Sequence, residues 1–266
     1  MSNAEKSDPW SRSRFGDVLG TKGYTKPDVS GLREYVIGAE SVPNLKELGI
    51  SVEGPFGKGN RLFIGIDVPK CDFTLRFRGF SGNEVVIGKG DSVSGHLNVA
   101  GDNNIFVAAG FGKMGSVTNV RFTLGGRSNH VYLGEGFTSV SSDWIIEGDN
   151  RTVIVGNDCM VSWNVYVMNY DSHGIIDVAS RAVINAPADI LIGQHCWIGR
   201  ASSIVKGVTI GSGSIIGGGS TVTTDIASQV IVVGSPAREV RSGVTWSRGR
   251  NPTQQHIDRL IDEVMN

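Results

Sequence analysis

His173 is the side chain best suited to acid–base chemistry at neutral pH. It lies in the polar segment NYDSHG, residues 169–174. Imidazole has the unperturbed pKa closest to neutrality, so a histidine on such a loop can take a proton from an attacking hydroxyl. Asp171 could orient the imidazole, although a backbone carbonyl could do the same. We therefore take His173 as the candidate general base and Asp171 as its candidate partner.

The other four histidines do not suggest a second site. His195 falls inside a repeat and is expected to be an exposed strand side chain, while His96, His130 and His256 are widely separated. A catalytic zinc site needs three protein ligands in a closely arranged group, and the nearest pair, His173 and His195, lacks that spacing. The sequence therefore predicts no metal centre.

The three cysteines are odd in number and scattered, at Cys71, Cys159 and Cys196. This usage is typical of free, buried thiols in a reducing compartment, so the predicted location is the cytoplasm. No serine or cysteine stands in the context of a nucleophile elbow, and a covalent acyl-enzyme is therefore not expected.

Aliphatic residues recur every six positions in the C-terminal third of the chain. This period fits neither a helix nor an alternating strand, but it fits a coil in which each hexad forms a short strand and a corner. The aliphatic side chain points inward, and the residue after it is small because the corner crowds the backbone or needs a positive φ. The main run is Ile192, Ile198, Ile204, Ile210, Ile216 and Val222, with shorter runs at Val155, Val161 and Val167 and at Ile87, Val93, Val99 and Ile105.

The six-residue period is interrupted around His173. Val167 and Ile192 lie 25 positions apart (192 minus 167), which predicts an inserted loop of roughly 15 to 20 residues, about 169–189. In repeat proteins such insertions collect on the functional side, because the stacked scaffold holds them without being disturbed.

The run ILIGQHCWIGRASSIVKGVTIGSGSIIGGGSTVTTDI, residues 190–226, resembles the hexapeptide-repeat acyltransferases, and VVGSPAREVR, 232–241, resembles their closing segment. The Asp-x-His-x-Ile pattern at 171–175, followed by Trp197-Ile198-Gly199-Arg200, is similar to the capsule polysaccharide and polysialic acid O-acetyltransferases. The resemblance implies an all-β fold: a left-handed parallel β-helix of hexapeptide repeats, with an inserted catalytic loop and a short C-terminal α-helix.

The same resemblance implies a site and its ligands. His173 would be the general base, and Trp197 would lie beside the thioester of acetyl-CoA, where its indole N–H can donate a hydrogen bond. The donor would run along a groove between subunits of a homotrimer, with a saccharide or polysaccharide as acceptor. The positions carried over for donor binding are Trp197, Arg200, Gly218, Thr223 and Arg241, with Lys206 as a second candidate cation.

Outside the repeats the chain divides into two extensions. Residues 1–59 are predicted to be an irregular N-terminal extension, in which MSNA at 1–4 resembles the remnant of an expression tag. The β-helix domain is predicted over 60–241, with capping strands within 60–80. In the extension 242–266, Asn251-Pro252 and the apolar spacing that follows predict an amphipathic helix over 252–265.

Composition excludes several classes of protein. Glycine supplies 37 of 266 residues, about twice the usual share, yet there is no collagen period, and 39% apolar residues argue against disorder. A formal net charge of −1 gives no electrostatic reason to bind nucleic acid. No apolar run is long enough for a transmembrane span, and no signal-peptide pattern is present.

Three functions remain open. The first is an acetyl-CoA-dependent O-acetyltransferase on a saccharide or polysaccharide, with direct transfer in a ternary complex. The second is an N-acyltransferase on an amino sugar or a nucleotide sugar, which would depend less on His173 because the amine arrives neutral. The third is a non-catalytic β-helical scaffold, which would not bind CoA saturably.

Overall fold

The computed structural model describes residues 31–65, 71–89, 93–110 and 117–265. These residues form 22 strands and two helices. The strands are β1 (Leu32–Val36), β2 (Ile50–Glu53), β3 (Arg61–Gly65), β4 (Cys71–Phe77), β5 (Glu84–Lys89), β6 (Val93–Asp102), β7 (Ile105–Gly110), β8 (Val117–Arg127), β9 (His130–Leu133), β10 (Thr138–Ser139), β11 (Ser142–Ile146), β12 (Thr152–Val155), β13 (Met160–Val161), β14 (Val165–Met168), β15 (Ile190–Ile192), β16 (Trp197–Ile198), β17 (Ser203–Val205), β18 (Thr209–Ile210), β19 (Ile215–Ile216), β20 (Thr221–Val222), β21 (Val230–Val233) and β22 (Arg238–Ser242), and the helices are α1 (Val42–Glu47) and α2 (Gln254–Met265).

The strands stack as a solenoid, each pairing with strands one coil before and after it. One sheet has the order β1-β3-β5-β7-β9-β12-β15-β18, and a second sheet of 14 strands contains the rest. Pairing is parallel except at the two ends, where β1 is antiparallel to β3 and β22 is antiparallel to β21. The predicted left-handed parallel β-helix is therefore confirmed.

The hexads build triangular coils in the C-terminal half. Ile192 pairs with Ile210, Ile198 with Ile216 and Ile204 with Val222. Each pair is 18 residues apart, so one coil contains three hexads and three strands. These six anchors are buried in the main core and stack on one another from coil to coil, as the period of six predicts.

The glycines after the anchors are needed because neighbouring coils are close. A Cβ at Gly199 would come within 2.5 Å of the Ile216 carbonyl oxygen, and one at Gly211 within 2.4 Å of the Ser228 nitrogen. Neither glycine has a positive φ. The left-handed backbone falls two residues later, at Ala201 and Gly213, so crowding rather than backbone conformation selects glycine after the anchor.

The upstream coils are larger and less regular. Val86 pairs with Val107, Val107 with Tyr132 and Tyr132 with Ile154, which gives steps of 21, 25 and 22 residues. The hexad assignment from Ile87 to Ile105 was therefore wrong. Val93 and Val99 lie on the single ten-residue strand β6, and Ile105 belongs to a second apolar cluster on the other face of its sheet, with Phe63, Val86, Val107, Tyr132 and Ile154.

A ladder of buried asparagines holds one corner of the upstream coils. The side-chain oxygen of Asn60 accepts from the backbone of Asn83, that of Asn83 from Asn104, and that of Asn104 from Asn129, each at 2.9 Å. Asn129 in turn accepts from the Arg151 nitrogen at 2.7 Å. The ladder satisfies backbone donors that a corner would otherwise leave unpaired inside the protein.

The two ends differ in detail from the sequence prediction. The described part of the N-terminal extension is not irregular, since it contains β1, α1 and β2, and β2 continues the second sheet by pairing with β4. The predicted tag at 1–4 and the rest of 1–30 lie outside the described residues. Helix α2 begins at Gln254 rather than 252, because the Thr253 hydroxyl accepts from the His256 nitrogen at 3.3 Å. Within the described ranges, no helix has the length and apolarity needed to cross a membrane.

Candidate functional site

A finger of inserted residues leaves the β-helix between β14 and β15. Val155 pairs with Ile192 across 37 residues, whereas the next coil takes 18, so the insertion is 19 residues long (37 minus 18). This agrees with the predicted length. The finger folds back on itself, because the Ile184 nitrogen donates to the Ile175 carbonyl and the Asp177 nitrogen to the Ala182 carbonyl, both at 2.9 Å.

An ion pair and an amide hold the base of the finger. The Asp171 carboxylate accepts hydrogen bonds from Lys206, in the next coil, and from the Asn185 side chain at 2.8 Å. Lys206 also donates to the Asn185 carbonyl oxygen at 2.9 Å. These hydrogen bonds, together with the Lys206 charge, hold the pKa of Asp171 below its ordinary value.

His173 sits just beyond this cluster with its side chain exposed. Its backbone is fixed: its nitrogen donates to the Asp171 carbonyl at 2.7 Å, and its carbonyl accepts from Asn185 at 2.8 Å. Ser172, immediately before it, has a left-handed φ of 64°, a conformation that is uncommon outside glycine and turns the chain sharply. The hydrogen-bond acceptors of Asp171 therefore face Lys206 and Asn185, and among the described residues none is bonded to the imidazole.

Trp197 and Arg200 lie on a different side of the β-helix from the finger. Trp197 opens β16 between Met160 and Ile215 of the neighbouring coils, and it is 38% exposed. Arg200 is exposed at the following corner, where its carbonyl accepts from the Gly219 nitrogen at 2.8 Å. Within one chain, the structure therefore does not join these residues to His173 by any contact among the described residues.

Gly218 lies beside Arg200 on the next coil. It is exposed, and a Cβ added to it would lie 3.2 Å from the Arg200 carbonyl oxygen. The glycine thus leaves backbone groups open to a ligand at this corner. Thr223, after β20, and Arg241, on β22, are also exposed near the end of the β-helix. Lys206 differs from the other predicted donor-binding residues, because its ammonium is already engaged by Asp171 and Asn185.

His195 is not the exposed side chain that the sequence analysis expected. It is 5% exposed, its Nδ1 lies 2.6 Å from the Asp158 carboxylate and its Nε2 lies 2.8 Å from the Trp246 carbonyl oxygen. Trp246 stacks on the imidazole with ring centroids 4.5 Å apart. The reason is the corner: a left-handed φ of 52° at His195 places the residue in a turn, where the C-terminal segment covers it.

Three residues of these arrangements were missed by sequence reasoning. Asn185 holds the finger, while Trp246 and Arg248 hold the corner at His195. No motif marks Asn185, although its position inside the insertion could have drawn attention to it. Trp246 is a large aromatic in a polar extension, and that contrast was the available signal for a docking segment. In the described part of the chain, no group of three His, Cys, Asp or Glu side chains is arranged to hold a metal ion.

Comparison with known proteins connects this architecture to a family. Residues 189–224 match the family described as bacterial transferase hexapeptide (six repeats). Polysialic acid O-acetyltransferase from Escherichia coli O1:K1 / APEC is 33% identical over 111 residues, 42% of this chain and 36% of the relative. Galactoside O-acetyltransferase from Escherichia coli K12 is 32% identical over 113 residues, 42% of this chain and 54% of the relative. The chain thus spans between a third and about half the length of these relatives.

The likeness in three dimensions extends further along the chain. The crystal structure of the polySia specific acetyltransferase NeuO superposes with a TM-score of 0.68 and 27% identity, covering 81% of this chain and 99% of that one. The upstream coils, where the hexad is lost, are therefore included in the shared fold. The repeat region of the chain belongs to the hexapeptide-repeat family of bacterial transferases, whose relatives named above are acetyltransferases.

Proposed function

We propose that this protein is an acetyl-CoA-dependent O-acetyltransferase that acts on a hydroxyl of a saccharide or polysaccharide. The observation that carries the proposal is His173, an exposed imidazole on a finger whose base is fixed by Asp171, Lys206 and Asn185. A general base needs a fixed backbone and access to substrate, and both are present here. The O-acetyltransferase names of the relatives agree with this chemistry.

The proposed reaction is a direct transfer. The imidazole of His173 accepts the proton of the acceptor hydroxyl while the oxygen attacks the thioester carbonyl. The negative charge that develops on the carbonyl oxygen is stabilised by fixed N–H donors, one of which can contribute about 3 kcal/mol. The tetrahedral species then expels the CoA thiolate, to which the imidazolium returns the proton. The products are an acetyl ester and free CoA, and His173 ends in its starting protonation state.

The donor groove would follow the face and corners that carry Trp197, Arg200 and Gly218. Trp197 offers an exposed indole, Gly218 an open backbone and Arg200 an unburied guanidinium. Thr223 and Arg241 would extend the groove towards the phosphates. Lys206 is better assigned to the finger than to the donor, because its ion pair with Asp171 would have to break for it to reach a phosphate.

The acceptor class is proposed from the chemistry of Arg200 together with the names of the relatives. A guanidinium at the mouth of the groove would favour an anionic glycan, since it binds carboxylates in a bidentate manner. The relative named as a polysialic acid O-acetyltransferase acts, by its name, on such a polymer. A sugar carboxylate near the attacked hydroxyl is therefore the expected feature of the acceptor.

We further propose a homotrimer with sites between subunits. His173 and Trp197 lie on different sides of one chain, so a shared site requires the finger of one subunit to reach the Trp197 face of the next. The finger carries large exposed aliphatic side chains, which is unusual for a surface with no partner. They are Ile175, Ile176, Val178, Val183 and Ile184. The proposed location is the cytoplasm, which the three free buried cysteines support.

The experiment is an assay of thiol release from acetyl-CoA with a panel of acceptors. The panel contains a sialic acid polymer, a neutral galactoside and an amino sugar, and products are identified by mass and by lability to base. We expect thiol release with a hydroxyl acceptor and a base-labile ester, highest with the anionic glycan. A base-stable amide would replace the O-acetyltransferase with an N-acyltransferase. No thiol release, together with no saturable shift of the melting temperature by acetyl-CoA, would leave only a scaffold.

A further inference from the structure

Residues 244–248 of the C-terminal extension form a clasp on one corner of the β-helix. Trp246 is 5% exposed, and its indole N–H donates to the His195 carbonyl at 2.7 Å while its own carbonyl lies 2.8 Å from His195 Nε2. The Val244 nitrogen donates to the Gln229 carbonyl at 3.0 Å. These bonds join a segment with no hexad to the scaffold at a defined register.

Arg248 extends the clasp over earlier coils. Its guanidinium donates to the Asp158 carboxylate and to the Thr138 hydroxyl, both at 2.8 Å, and to the Gly136 carbonyl at 3.0 Å. Its Cζ also lies 5.5 Å from the centre of the Trp246 ring, within the range of a cation–π interaction. One side chain thus ties the extension to the coils of Thr138 and Asp158, while Trp246 ties it to the coil of His195.

The clasp meets the candidate site at Trp197. The ring centroids of Trp197 and Trp246 are 6.1 Å apart with an interplanar angle of 47°, a separation at which aromatic pairs attract each other. Trp197 is the more exposed ring, with only the strand neighbours Met160 and Ile215 beside it in the sheet. The buried Trp246 therefore supplies a fixed wall against which the exposed indole can rest.

We propose that Trp246 is a positioning residue for Trp197, so that the C-terminal clasp sets the geometry of the acyl-donor side of the site. The proposal deepens the proposed function and rests on it, because it gives a consequence for acetyl-CoA binding. A side chain that contacts a ligand is effective only when its own rotamer is locked by its surroundings. Here the lock is an aromatic ring that is itself held by His195 and Arg248.

The first test measures the pair of rings in solution. Two indoles this close at an angle give an exciton couplet in circular dichroism. We expect Trp197→Phe and Trp246→Phe each to abolish the couplet. Trp163→Phe should keep it, because Trp163 is 55% exposed and makes no ring contact with another described residue. A wild-type protein without a couplet, or a couplet that survives Trp246→Phe, would overturn the proposal even if Trp246→Leu did not fold.

The second test measures catalysis with Trp246→Leu and with the conservative Trp246→Phe. We expect the KM for acetyl-CoA to rise about tenfold in Trp246→Leu while the KM for the acceptor is unchanged, and Trp246→Phe to restore most of the loss. A folded Trp246→Leu protein with an unchanged KM for acetyl-CoA would overturn the proposal. If the wild-type protein itself shows no turnover of acetyl-CoA, the proposed function fails, whereas the couplet still reports on the pairing of the two rings.

Discussion

At the scale of single side chains, Asp158 connects the β-helix with the C-terminal clasp. Burial opposes the ionisation of its carboxyl group, but the hydrogen bond from His195 and the charge and hydrogen bond of Arg248 outweigh burial and place the pKa of Asp158 below its ordinary value. A lowered folded-state pKa means that the carboxylate stabilises the fold. This contribution is complete above the unfolded-state pKa of about 3.9 and is lost as the pH falls through the folded-state pKa.

We therefore predict a pH-dependent effect of Asp158→Asn. At pH near 7 the variant should melt at a lower temperature than the wild type, because His195 and Arg248 lose their charged partner, and the gap should narrow as the pH falls below about 4. Thermal unfolding followed from neutral to acidic pH measures this gap. Asp143→Asn is the matched control, since Asp143 pairs with the exposed Arg121 at 3.3 Å and should matter little. A gap that stays constant over the whole range would contradict the prediction.

His173 and His195 show what residue types can and cannot reveal in advance. His173 stands in an interruption of a regular period, so its unusual place on the chain was visible in the sequence. His195 sits in phase with the repeats, and its partners Asp158 and Trp246 are 37 and 51 residues away. No local pattern reports such contacts, because they arise only when the C-terminal segment returns to the corner.

At the scale of elements, the hexads supply the stability of the C-terminal coils. Each coil buries its aliphatic anchors only by stacking on its neighbours, so one anchor affects more than one coil. Ile204 is fully buried and lies between Val167 and Val222 of the adjacent coils, whereas its neighbour Val205 is only half-buried on the outer face.

We predict that Ile204→Ala destabilises the protein by about 2–5 kcal/mol, through lost burial and the cavity that remains. Val205→Ala, on the same strand, should cost less than about 1 kcal/mol because its side chain already meets solvent. Denaturant unfolding of both variants, read with the same probe, measures the difference. Equal losses of stability at the two positions would mean that the inward and outward faces have been assigned wrongly.

The period of six predicted the coils from Val155 to Val222 because partners in that region are a constant number of residues apart. Upstream the prediction failed from Ile87 to Ile105, since long strands such as β6 replace two short ones and a coil takes 21 to 25 residues. The repeated feature there is the asparagine ladder, in which Asn60, Asn83, Asn104 and Asn129 recur at uneven intervals. A repeat of one polar residue over a variable distance is much harder to see than a fixed aliphatic period.

At the scale of the whole molecule, the finger places its aliphatic residues and His173 on the outside of the prism. If the active site is shared, no single chain contains it. Complementation between two defective chains tests this arrangement, because a shared site takes His173 from one subunit and Trp197 from the next.

We predict that His173→Ala and Trp197→Ala chains, each inactive alone, recover about a quarter of wild-type activity when assembled together in equal amounts, since random mixing restores that share of interfaces. Thiol release from acetyl-CoA is the measurement, with the oligomeric state checked by light scattering. Assembly of His173→Ala with a chain that carries both substitutions is the control and should recover nothing. No recovery in a mixed trimer would show that each site draws both residues from one chain.

The most direct measurement of the central claim is kcat/KM for acetyl transfer by His173→Ala, compared with His96→Ala. His96 is an exposed histidine on the upstream strand β6, away from the finger in sequence. Loss of a general base should lower kcat/KM at least about 100-fold, with an unchanged melting temperature and unchanged acetyl-CoA affinity, while His96→Ala should behave as the wild type. A folded His173→Ala protein that transfers acetyl groups at the wild-type rate would contradict the account.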